Sequence, residues 1–115
     1  MDITKNFKFA DIAKIYGRLT QYRLDPGRIT IGSWRRFTEY FKKEFENLGM
    51  DIPDADYIDE SNFYGYIYGM SIHEDNTLSW GTFLIKDKDN SIVYIVSFDT
   101  GIAIDLRKLN YTFIR

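Results

Sequence analysis

Apolar positions recur at steps of three and four in two stretches of the N-terminal half and alternate with polar positions in the C-terminal half. Phe9, Ile12, Ala13, Tyr16, Leu19 and Tyr22 fall on one face of a 3.6-residue period. They predict an amphipathic helix over residues 9–23, weakened at Gly17. Asp25-Pro26-Gly27 reads as a turn, because proline fixes φ and glycine accepts positive φ, and residues 28–31 read as a short strand. A second stripe of Trp34, Phe37, Phe41, Phe45 and Leu48 predicts a helix over 34–48. Ser33 would be its N-cap and Gly49 the left-handed residue after its last turn. Glu39 and Lys43 stand four apart in the favourable order, Lys42 and Glu46 in the reverse order.

From Asn62 onward the period is two. Strands are predicted over 63–72, 78–86, 92–98, 102–105 and 110–114, the first four separated by the short turns HEDNT, DKDN and DTG. Short connections favour an antiparallel meander. The expected fold is a single α+β domain over residues 1–115, with two N-terminal helices packed on a four- to five-stranded antiparallel meander sheet.

Pairing residue 72 with 78 would put Met70, Trp80, Tyr68 and Tyr66 on one face with Leu84, Val93 and Ile95. The other face would carry Phe63, Gly65, Ile67, Gly69, Gly81, Phe83, Ile85, Ile92, Tyr94, Val96 and Phe98. Both faces are then apolar, unlike a sheet with one wet side. The helix over 34–48 is expected on the glycine-bearing face. The Tyr64, Tyr66, Tyr68, Met70 and Trp80 face needs a cover of its own: the first helix, a second copy of the chain, or a partner protein.

Composition narrows the classes. Nine Tyr, nine Phe and two Trp among 115 residues exclude a disordered chain. With no cysteine there is no disulfide, zinc ribbon or thiol catalysis. No apolar run has the length of a membrane span or the form of a signal peptide, so the expected location is the cytoplasm. The net charge of −2 divides into +4 over residues 1–50 and −6 over residues 51–115, a hint of a charged partner. The fifteen Ile against four Ala, with abundant Lys, Asn, Tyr and Phe, fit an AT-rich coding bias.

Candidate chemistry is sparse. Asp99-Thr100-Gly101 looks like the active-site triplet of retroviral-type aspartic proteases, but few residues follow it, and a hairpin turn with Gly101 left-handed accounts for it. Asp87-Lys88-Asp89-Asn90-Ser91 starts like a calcium loop, yet Ile92 and Phe98 occupy positions that need Gly and Glu. His73, the only histidine, is expected in a solvated turn without the second His or Cys a transition metal would need. No phosphate loop or nucleophile elbow is present. No cofactor and no metal are expected.

The functional expectation is therefore a non-catalytic protein-binding module. It would be a small inhibitor of phage or mobile-element type, such as an anti-CRISPR or other anti-defence protein, or a toxin-immunity-like protein. It would block a protein or ribonucleoprotein partner, and a homodimer is compatible with it. The expected partner-binding residues are Tyr64, Tyr66, Tyr68 and Trp80, with Asp54, Asp56, Asp59 and Glu60 of the acidic loop offering phosphate-like charge. The alternative is a nucleic-acid-binding regulator using Arg28, Arg35, Arg36, Lys42 and Lys43 of the basic half.

Overall fold

Backbone pairing joins both halves of the chain into one sheet. The computed structural model describes residues 2–50, 63–89 and 91–106. Their strands are β1 (Asp2–Thr4), β2 (Thr30–Ser33), β3 (Phe63–Ile67), β4 (Met70–Glu74), β5 (Thr82–Lys86), β6 (Ile92–Ser97) and β7 (Ile102–Asp105). They form a seven-stranded sheet in the order β1-β7-β6-β5-β2-β4-β3. The helices are α1 (Ile12–Gln21), α2 (Phe37–Tyr40) and α3 (Lys42–Asn47), with 3-10 turns over Phe9–Asp11 and Pro26–Arg28. No described helix is long and apolar enough to cross a membrane.

The α+β class holds, and the arrangement differs from the expected meander. β2 enters between β4 and β5, parallel to the first and antiparallel to the second. Residues 75–81 therefore cross the end of β2 instead of closing a hairpin. The Asp75 N–H donates to the Ser33 carbonyl at 2.8 Å along the way. At the far edge, β1 pairs with β7. The segment expected as one strand over 63–72 is a hairpin. Tyr68 and Gly69 both take positive φ, 50° and 83°, between the paired Ile67 and Met70. That is the two-residue turn whose twist suits a right-handed ribbon. The expected strand over 110–114 lies outside the described residues.

The first helix forms where the apolar period placed it, burying Ile12, Ile15 and Leu19, while Ala13 and Tyr16 are exposed. The helix expected over 34–48 is shorter and broken. Ser33 is the last residue of β2 and caps nothing; its hydroxyl lies 3.4 Å from the His73 carbonyl. Arg36 is left-handed at φ 68°, and Phe41 at φ −103°, ψ 26° separates α2 from α3. Phe37, Phe41 and Phe45 still point to the core, because a spacing of four survives this interruption. Gly49 is left-handed as expected, at φ 75°.

All the described helices pack on one face. Phe37 reaches Phe83 and Phe98, with ring centroids 5.7 and 6.2 Å away. From α1, Arg18 and the following Tyr22 reach Asp105. This face buries Ile31, Met70, Ile72, Phe83, Ile85, Tyr94, Val96 and Ala103. Met70 thus belongs to the core and not to the Tyr66 face.

Candidate interaction surfaces

The expected aromatic face is dispersed. Tyr64 lies at the β3 irregularity and is buried; burial pushes its phenol above the usual range. Tyr66, 60% exposed, is on the face away from the helices, its ring 5.1 Å from Phe63. Tyr68 sits in the hairpin turn, 5.6 Å from Tyr16 of α1. Trp80 precedes β5 and stacks elsewhere. The separation follows from β2, whose insertion prevents β4 and β5 from pairing. The glycine cluster dissolves with it, since Gly69 and Gly81 serve turns at φ 83° and 84°. Asp54, Asp56, Asp59 and Glu60 lie outside the described residues.

A groove of about 450 Å³ forms where four segments meet, lined by Phe7, Phe9, Tyr40, Phe41, Trp80 and Phe98 with Lys8, Ala10 and Glu44. Its N-terminal wall is fixed by the Phe7 N–H, which donates to the Gly101 carbonyl at 2.7 Å. The Phe9 ring lies 5.0 Å from both Phe41 and Phe45. The second wall follows from helix spacing: Tyr40 and Glu44 are four apart, each one residue before a buried phenylalanine, so they share the helix flank. Trp80 precedes Gly81, which turns the chain at φ 84° close against Asp99, where an added Cβ would stand 3.2 Å from the Asp99 nitrogen. The Phe98 N–H donates to the Gly81 carbonyl at 2.7 Å, seating the Phe98 ring 4.8 Å from Phe41.

Trp34 organises this region. It is 2% exposed, and its ring centroid lies within 6.3 Å of those of Phe37, Tyr40, Phe41, Trp80 and Phe98. Above it, Tyr40 and Trp80 meet edge to face at 5.5 Å and 87°, yet remain 59% and 54% exposed. The burial of Trp34 and Phe41 was legible in the sequence, although Trp34 precedes α2 and Phe41 separates α2 from α3. The pairing of Tyr40 with Trp80 was not, because it joins segments forty residues apart through β2.

A second apolar feature lies on the sheet face away from the described helices. Ile3, Ile104, Ile95 and Leu84 pair in register across β1, β7, β6 and β5. Thr82, Ser97 and Lys86 flank the row on the same face, and its most exposed member is Ile3 at 44%.

A buried polar cluster ties α1 to the sheet. Asp105, 2% exposed, accepts hydrogen bonds from Tyr22 Oη at 2.7 Å and Tyr94 Oη at 2.9 Å. Arg18 Nη1 lies 3.8 Å from the same carboxylate oxygen. Burial, reinforced by the bond to Asp105, pushes the Tyr22 phenol up to about 12. Burial and the Asp105 charge raise Tyr94 further. The cluster is an anchor, since each polar group in it faces a partner.

His73 lies within β4 rather than in a turn, half-buried, with its ring 5.3 Å from Phe63. Among the described residues no group of three metal-ligating side chains occurs. Asp99-Thr100-Gly101 is the β6–β7 turn, with Gly101 left-handed. The basic candidates are spread out: Arg28 in a 3-10 turn, Lys42 and Lys43 on α3, Arg35 3.8 Å from Glu74 and Arg36 2.6 Å from Glu39. No protein-family model matches the chain, and no curated protein or solved structure matches it either.

Proposed function

We propose that this protein is a non-catalytic protein-binding module that engages its partner through the aromatic groove. The observation that carries this reading is the Tyr40–Trp80 pair, two rings each more than half exposed at the rim of a concave aromatic surface. Tyrosine and tryptophan at the centre of a contact give large buried area at low entropic cost and dominate interface energetics. The groove lining offers one carboxylate, Glu44, and one ammonium, Lys8, a set suited to recognition and not to acid–base chemistry. The small, cysteine-free, acidic chain fits an inhibitor that blocks a macromolecular partner, in the manner of anti-defence or toxin-immunity proteins.

The test compares capture of binding partners from an extract of the source organism by the native chain, by Tyr40→Ala/Trp80→Ala and by Tyr66→Ala. The two groove side chains are exposed, so circular dichroism should stay native in all three. Partners lost with the groove variant and kept with Tyr66→Ala support the reading. Partners kept by the groove variant contradict it.

A further inference from the structure

We infer that Trp34 is the positioning residue of the groove, retained for its bicyclic ring at a cost to the fold, so that Tyr40 and Trp80 stand in the arrangement a partner meets. This rests on the groove being the partner-binding surface and adds the residue that sets its shape. Trp34 lies beneath the lining and is 2% exposed, so its effect on a partner passes through the rings above it. Its backbone is tied to both segments that carry the exposed rings. The Trp34 N–H donates to the Thr82 carbonyl at 3.2 Å, two residues after Trp80. The Trp34 carbonyl accepts from the Phe37 N–H at 3.3 Å, three residues before Tyr40. The side chain repeats the link: its ring centroid stands 4.9 Å from that of the fully buried Phe37, 6.0 Å from Trp80 and 6.3 Å from Tyr40. One ring thus connects the core to the two rings that reach solvent.

The polar atom of that ring sets Trp34 apart from a residue that only fills the core. A buried indole N–H ordinarily finds an acceptor, yet Trp34 Nε1 is buried with no hydrogen-bond partner among the described residues. Taking this donor out of water without a partner disfavours the folded state. Phenylalanine carries no such donor, and the same cluster uses it at Phe37, Phe41, Phe83 and Phe98. What phenylalanine lacks is the reach of a bicyclic ring, from Phe37 to the Tyr40–Trp80 pair. Departures from local rules that the fold itself does not need concentrate where a protein does its work.

The test uses the full chain with Trp34 replaced in two ways: by benzothienylalanine, in which sulfur stands in place of the indole N–H, and by phenylalanine. Trp80 is then the only tryptophan, and its time-resolved fluorescence anisotropy reports whether its ring is held. The isostere should unfold at a urea midpoint equal to or above that of the native chain, hold the Trp80 ring and capture the same partners. Trp34→Phe should keep native circular dichroism, free the Trp80 ring on the nanosecond scale and lower partner capture at least about tenfold. If Trp34→Phe does not fold, Trp34→Met takes its place in both measurements. A lower midpoint for the isostere would show that the N–H has a partner and overturn the proposal. A Trp80 ring equally held in Trp34→Phe, or capture undiminished once that ring is free, would overturn it as well. The Tyr40→Ala/Trp80→Ala comparison tests the groove itself, so failure of Trp34 as its support is distinguishable from failure of the groove as an interface.

Discussion

Asp105 shows how much one side chain settles. Its carboxylate is buried, takes two tyrosine hydroxyls and lies beside Arg18. Asp105→Ala leaves both phenols and a cation without their acceptor, and should destabilise the fold by about 3 kcal/mol in urea unfolding. The same cluster gives a pH signature. Tyr22 is held protonated in the folded chain up to about 12, whereas an unfolded tyrosine ionises near 10. Between those values the unfolded state has lost a proton that the folded state keeps, so stability falls as pH rises through this window. Urea midpoints from pH 9 to 12 should therefore decline, and Tyr22→Phe should flatten part of the decline. Nothing in the sequence marked this cluster: Tyr22 reads as one more apolar helix position and Asp105 as the end of a strand, and only the fold brings residues 22, 94 and 105 together.

At the scale of elements, local chemistry was readable and pairing was not. The apolar stripe through Phe9, Ile12, Ala13, Tyr16, Leu19 and Tyr22 located α1, although Ile15 and not Ala13 or Tyr16 faces the core, and Asp25 accepts from the Gly27 N–H at 2.9 Å in the turn its neighbours implied. The strands over 92–97 and 102–105 stand within a residue of their expected bounds. The β3–β4 turn was hidden because its first residue is Tyr68, where asparagine or aspartate would announce it. The two-residue turn demands positive φ at both positions, so Gly69→Ala should cost about 1 kcal/mol or more by chemical denaturation. Tyr68→Asn should be tolerated, because relief of backbone strain offsets the lost Tyr16 contact; a destabilisation equal to that of Gly69→Ala would contradict the turn assignment. β2 had the right local reading and no visible place in the sheet. A strand that pairs in parallel with a partner forty residues on leaves no turn signal between them.

At the scale of the molecule, the sheet has its described helices on one side, and two apolar features remain outside that core. The aliphatic row of Ile3, Ile104, Ile95 and Leu84 is a flat strip flanked by polar side chains, and nothing in the structure shows what covers it. The groove is concave, aromatic and built by four separate segments, which gives it shape as well as apolar area. On the proposed function, the partner sits in the groove. The most direct test places a photo-crosslinking benzoylphenylalanine at Tyr40 in one chain and at Ile95 in another, with irradiation in the presence of the native partners. A covalent adduct is expected from position 40 and none from position 95. An adduct from position 95, with none from position 40, would move the interface to the open sheet face and contradict the proposed function.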